Sequence, residues 1–329
     1  MSDLLRSARF RSEREPAWAR AEALVAKAEG GVVHMTYAEV LELSDLYQQI
    51  VNALSVARAI SMDAALLAYL EALSARAYLV IHAPQESLSG LVGKLLRQDI
   101  PQAVRRSWAA ILIAFVALAL GAVTAAVLVA RDPSWFYTFV PPSLGDGRTP
   151  DASREYLRST LFDGGGHETE ALSTFASFLF THNTQIAILI FAVGIFALIP
   201  SFVLTYYNGL VIGAFWMAFG RHGLGYEVTG WLSIHGVTEL TAVVMACAGG
   251  AQMGLAVILP GEMTRRAALK ERGRDAVRLF GLAAIMLIVA AIIEGFFRQI
   301  IQSTEARLVI GWGIGALWAA WLVLSGRPR

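Results

Sequence analysis

GWLSIHGVTELTAVVMACAGGAQMGLAVIL, residues 230–259, decides the fold of this chain. The stretch is almost wholly apolar and longer than the ~20 residues a helix needs to cross the ~30 Å hydrocarbon core of a bilayer. It nevertheless carries His235 and Glu239. An ionisable side chain inside hydrocarbon costs several kcal/mol, on the order of 2.5 or more, unless it faces other protein, so the segment reads as a membrane helix packed among others. The two residues are four apart and share one helical face. A third such group, Glu294, sits in the later apolar run AIMLIVAAIIEGFF.

Composition supports the class. The chain has 329 residues, 56% hydrophobic and only 16% charged, with a mean hydropathy of +0.54. These values describe an all-α, polytopic transmembrane helical bundle and exclude an ordinary soluble enzyme. A formal net charge of +1 argues against a nucleic-acid binder. The lone cysteine, Cys247, lies in an apolar helix and offers neither a disulfide nor a thiolate metal cluster. The N-terminus, MSDLLRSARFRSEREPAW, is charged throughout and has no cleavable signal pattern.

Residues 1–104 read as a cytoplasmic amphipathic helical domain and residues 105–329 as the transmembrane domain, with an extracytoplasmic loop at about 131–182. In the first part, Trp18, Ala21, Leu24 and Val25 recur at helical spacing, Thr36 is placed as an N-cap, and Val40, Leu43, Leu46, Tyr47 and Ile50 form an apolar stripe. The first span runs from Trp108 to about Ala130 behind Arg97, Arg105 and Arg106, which places the N-terminal domain inside by the positive-inside rule. Pro-Pro and Gly-Gly-Gly punctuation predicts irregular structure for the loop, with Trp135, Phe136 and Tyr137 at the interface and an amphipathic surface helix over Thr169–His182.

From Asn183 to Phe219 the apolar run is broken by Pro200, which fits two spans, although one kinked span plus a half-helix stays open. The basic segment around Arg265, Arg266, Lys270, Arg272, Arg274 and Arg278 belongs inside, so four crossings precede it. Spans at about 276–297 and 309–324 then give about six in all, with both termini cytoplasmic and the cell (inner) membrane as location. Gly209 and Gly213, Gly250 and Gly254, and Gly311 and Gly315 have the small-xxx-small spacing of helix-packing seams. Whether they join helices of one subunit or of a homo-oligomer stays open at this stage.

Asn183, Asn208, His235, Glu239 and Glu294 form the candidate polar intramembrane cluster. A hydrogen-bonded core that fixes helix register and an ion- or proton-linked pathway are both readings of such a set. A three-ligand metal site is weaker: HxxxE lacks the second histidine of HExxH and no cysteine joins it, so no metal, no cofactor and no catalytic residue is assigned.

At these residues the chain resembles the stage II sporulation protein M family of integral membrane proteins. NGLVIGAFW, IHGVTEL and IIEGFF are similar to its Asn-Gly, His-Gly-x-x-Glu and Ile-Glu-x-Phe motifs, and LYQQIVNALSVARA and YLEALSARAYLVIHAP resemble the cytoplasmic extension of its longer, non-sporulation-type members. Asn208, Gly209, His235, Gly236, Glu239 and Glu294 fall on motif positions, and Gly236 joins the packing glycines. Where the family has a Thr-Pro pair after its second Glu motif, this chain has Arg298 and Gln299. The resemblance implies a bacterial cell-envelope scaffold that organises envelope-remodelling partners in the lipid bilayer. An ion- or lipid-linked transporter or channel is the alternative, and an intramembrane hydrolase is the third reading.

The topology is testable at Lys270. In a Lys270→Cys variant, an impermeant thiol reagent applied to intact cells should leave position 270 unlabelled, and labelling from outside would reverse the assignment.

Overall fold

The computed structural model describes residues 2–29, 35–59, 63–82, 88–162, 169–196 and 198–327, with side chains except at 2–8, 88, 169–180 and 295–300. The chain divides into two compact units, residues 1–91 and 92–329. All regular structure among the described residues is helical.

The first unit contains α1 (Ser2–Glu29), α2 (Tyr37–Ala59) and α3 (Ala64–His82). Their apolar rows meet in one core built on Trp18, Leu24, Leu43, Ile50, Leu66 and Leu70. Val40, placed on the stripe by its spacing, lies at the edge of that face and is exposed. α2 begins at a reciprocal cap: the Glu39 N–H donates to Thr36 Oγ1 at 3.3 Å, and the Thr36 N–H donates to the Glu39 carboxylate at 2.8 Å. Lys27 binds the same carboxylate at 2.7 Å. The ammonium, and after it the Thr36 N–H, hold the Glu39 carboxyl down at about 2. Bidentate pairs of Arg20 with Glu42 and of Arg76 with Glu29 tie α1 to α2 and to α3.

α4 (Leu88–Lys94) crosses the boundary between the units, and a π-helical turn at Leu95–Asp99 and α5 (Ile100–Arg106) follow in the second. Its long helices are α6 (Trp108–Arg131), α10 (Thr169–Val193), α11 (Leu198–Gly220), α12 (Gly225–Ile258), α13 (Arg265–Ile300) and α14 (Thr304–Leu324). Between α6 and α10 lie α7 (Trp135–Phe139), α8 (Pro142–Gly145) and α9 (Arg154–Phe162). Six helices among the described residues are long and apolar enough to cross a membrane: α3, α6, α11, α12, α13 as far as Glu294, and α14. α10 contributes the shorter apolar stretch 181–193 over its described side chains, although its 25 residues make a helix of roughly 37 Å. The sequence reading counts α10 and omits α3, whose Leu66, Leu70, Leu73 and Ala77 are buried in the first unit.

Two boundaries differ from the sequence reading. The separate surface helix at 169–182 and the span from Asn183 are one continuous helix, α10. The chain breaks at residues 194–196 rather than at Pro200, which sits in the first turn of α11. An N–H there has no intrahelical acceptor, so proline removes nothing.

α12 is the hub: 67% of its most apolar window is buried, and α6, α10, α11, α13 and α14 all pack on it. Glycines set the approach. A Cβ on Gly213 would strike the Ala122 backbone of α6, and one on Gly209 the Leu118 carbonyl. One on Gly250 would lie 2.9 Å from the Phe191 carbonyl of α10, one on Gly254 2.6 Å from the Gly194 carbonyl, and one on Gly311 would strike the Ser233 carbonyl of α12. Gly315 faces Val237 at 2.7 Å. These seams join helices of one chain. Gly236 differs: it is buried, and a Cβ there would meet no described atom within 4 Å.

This contrast predicts different costs for the same change. Gly213→Ala and Gly311→Ala should each destabilise by about 1–3 kcal/mol through overpacking, while Gly236→Ala should shift stability by less than ~0.5 kcal/mol. Thermal unfolding of the three variants in one detergent checks it.

Candidate functional site

Asn183 on α10 and Glu239 on α12 face each other across the bundle, and the Asn183 amide donates to Glu239 Oε2 at 2.9 Å. α10 and α12 run in the same direction, because Asn183 meets Glu239 while Gly194, just past the end of α10, meets Gly250 further along α12. Glu294 of α13 is 2% exposed, and its carboxyl interacts electrostatically with that of Glu239. Three of the five candidate residues are therefore brought together. An amide donor is what a carboxyl group in hydrocarbon needs in place of water.

His235 lies one turn earlier on the same face of α12, buried at 4% exposure. Its ring stands edge-on to Trp231, with centroids 5.7 Å apart. Trp231, His235 and Glu239 thus form one row along α12. Asn208 is half-buried on α11 and makes no hydrogen bond among the described residues. Trp216 of α11 donates to Thr229 at 2.8 Å and Ser201 abuts Gly250, contacts that bracket Asn208 opposite the middle of α12, where Glu239 sits. Its helical neighbours one turn either way, Leu204 and Ile212, pack with Leu240 and Val243 of α12. Among the described residues no three His, Cys, Asp or Glu side chains are grouped to hold a metal ion.

The row continues into the segment between α6 and α10. That segment is folded where its punctuation predicts irregular structure; Gly164–Gly166 lie outside the described residues. Phe136, Leu157 and Leu161 of α7 and α9 are buried against Ala125, Val129, Phe219, Leu224 and Trp231. Phe136 is therefore a core residue of this cap, while its neighbours Trp135 and Tyr137 are exposed as the interfacial reading places them.

Two buried arginines hold the cap, and sequence reasoning found neither. Arg148 is 5% exposed; its guanidinium lies 5.6 Å from the Phe215 ring centroid and 6.0 Å from that of Trp231. Arg307 is 1% exposed and donates to the carbonyls of Leu161 at 2.9 Å and Ile301 at 2.8 Å. It joins the end of α9 to the α13–α14 turn. Main-chain acceptors contributed by distant residues carry no signal in a linear sequence. Further ties come from His222, whose Nε2 lies 2.9 Å from the Pro150 carbonyl, and from Arg154, which donates to the His222 carbonyl at 3.0 Å.

At the opposite end of the unit, Arg105 donates to the carbonyls of Leu322 and Ser325 at 3.0 and 2.8 Å, and Arg106 forms a bidentate pair with Asp275 at 2.6 and 2.7 Å. The starts of α6 and α13 and the end of α14 are thus gathered at one end, and the cap at the other.

Residues 108–298 match the family described as Stage II sporulation protein M. The match covers more than half of the chain and runs from α6 through most of α13, including all five residues of the candidate polar cluster. This chain belongs to the Stage II sporulation protein M family. It is an integral membrane protein. Residues 8–83, which hold the core of the first unit, match a second family, described as Domain of unknown function (DUF8413). No curated protein and no solved structure matches. The Arg298 and Gln299 positions that depart from the family pattern lie outside the described side chains.

The Asn183–Glu239 contact is measurable as a coupling energy. Asn183→Ala and Glu239→Ala should each lower the melting temperature, and the double variant should fall short of their sum by about 0.6–1.7 kcal/mol, the range of hydrogen bonds between membrane helices. Full additivity in the double-mutant cycle would remove the contact from the account.

Proposed function

We propose that this protein is a scaffold of the cell membrane, with its extracytoplasmic cap and its first helical unit serving as docking surfaces for other envelope proteins. The observation that supports the reading is the cap itself. A connection between two membrane helices needs no fold of its own, yet α7–α9 share a core with α6, α11 and α12 and are fixed by Arg148 and Arg307. A rigid, prefolded surface lowers the ordering cost of binding a partner. On α9 the side chains Glu155, Tyr156 and Arg158 are exposed, Tyr156 while donating to the Asp146 carbonyl and Arg158 while lying over the Phe162 ring, and they present a surface to such a partner.

The buried contact between Asn183 and Glu239, with Glu294 beside it, favours a second reading, an ion- or lipid-linked transporter, because ionisable groups at membrane depth commonly mark a transport path. The two readings place the sensitive residues differently. Under the scaffold reading, the charge exchange Glu155→Lys with Arg158→Glu should leave the melting temperature unchanged and abolish complementation of a deletion strain, while Glu239→Gln complements. The transporter reading requires the reverse. Complementation and melting measured on the same two variants decide between them, and a harmless cap exchange would end the scaffold proposal.

A further inference from the structure

α13 changes character along a single face. Its outward side chains Val277, Ile285, Ile288 and Ile292 are 66%, 37%, 55% and 50% exposed, while Ala276, Leu279, Ala283, Met286 and Ala290 on the opposite side are buried. A repeat of 3.6 residues places Arg266, Lys270 and Arg274 in the same outward row. One row is therefore apolar where the helix meets hydrocarbon and cationic over the turns before it. Ile258, Leu259 and Met263, at the adjoining α12–α13 turn, are exposed as well.

Neighbouring acids do not neutralise the row. Asp275 points to the other side and is bound by Arg106 at 2.6 Å and Arg278 at 3.2 Å, and Asp99 is bound by Arg278 at 3.1 Å. Glu271 lies off the row, and Glu262 precedes the helix; both are exposed. Arg266, Lys270 and Arg274 are exposed and have no hydrogen bond or ion pair among the described residues.

We infer that this row binds the headgroups of anionic phospholipid, with acyl chains against Val277, Ile285, Ile288 and Ile292 and the phosphate held by Arg274 and Lys270. The depth fits. At 1.5 Å per residue, Arg274 lies roughly 4.5 Å beyond Val277, within a headgroup layer of roughly 5–8 Å, and Lys270, roughly 10 Å beyond, sits just outside that layer with its flexible ammonium at the layer's edge. Arg266 lies roughly 16 Å beyond and adds longer-range attraction for an anionic surface rather than a headgroup contact. Free phosphate or an acidic protein could meet the cations, but neither uses the apolar continuation of the same row. A lipid uses both parts.

The test uses the purified full-length chain in neutral detergent, titrated separately with phosphatidylglycerol, phosphatidylcholine and inorganic phosphate while thermal unfolding is followed. Phosphatidylglycerol should raise the melting temperature by roughly 2–4 °C or more, an effect that weakens with added salt, and the other two should not. The triple variant Arg266→Gln, Lys270→Gln, Arg274→Gln should keep the lipid-free melting temperature and lose most of that rise. Arg9→Gln with Arg11→Gln, on α1, should retain it. An equal rise in the triple variant, or an equal rise with inorganic phosphate, overturns the inference. If the triple variant does not fold, Lys270→Gln alone carries the test: a partial loss of the rise supports the site, and no loss overturns it.

Discussion

Close approach of backbones governs the membrane unit. Lipid tails are as apolar as leucine, so burying apolar side chains gives little reason for one helix to prefer another over lipid, and association rests on packing and on hydrogen bonds between helices. α12 meets this constraint with glycines on different faces: Gly250 and Gly254 admit the end of α10 and the start of α11, while its own Ser233 backbone receives Gly311 of α14. α6 and α11 solve the same problem through Gly121, Gly209 and Gly213. These contacts hold the helices close enough that Glu239 and Glu294 are buried, with Asn183, itself half-buried, as the amide donor to Glu239.

What was legible in the sequence follows from how local each cause is. Hydropathy and flanking charge mark α6 because a charge-free run between Arg106 and Arg131 reflects the bilayer alone. Spacing reveals the seams at Gly209, Gly213, Gly250, Gly254, Gly311 and Gly315, since packing rows repeat every four residues. Pro200 misleads because its effect depends on its place within a helix, and that place is set by Gly194 packing against Gly250 of a different helix. Gly236, placed among the packing glycines by its motif position rather than by spacing, has no described atom within 4 Å of its Cβ position.

The candidate site shows the same division. His235 and Glu239 declare themselves by being ionisable in an apolar run, and Asn183 pairs with Glu239 as their shared depth suggests. Arg148 and Arg307 are invisible by that criterion, because arginines in a polar segment or beside a helix start are ordinary until tertiary structure buries them. The fold of the cap depends on both. α3 has a composition that suits a bilayer, yet its buried side chains form a core with α1 and α2 beside the Arg76–Glu29 pair. Apolar content measures how much surface must be buried, and neighbouring helices can do that as well as lipid.

The order in which the polar side chains emerge during synthesis gives the Asn183–Glu239 contact a role in assembly. Asn183 is made first, Glu239 follows on α12, and Glu294 comes only after the basic turn that starts α13. When α12 leaves the insertion machinery, α10 already offers Glu239 an amide donor. Glu294 then enters beside a helix pair that has formed. A chain in which α10 had drifted from α12 would leave Glu239 in lipid without the amide donor that the folded bundle gives it.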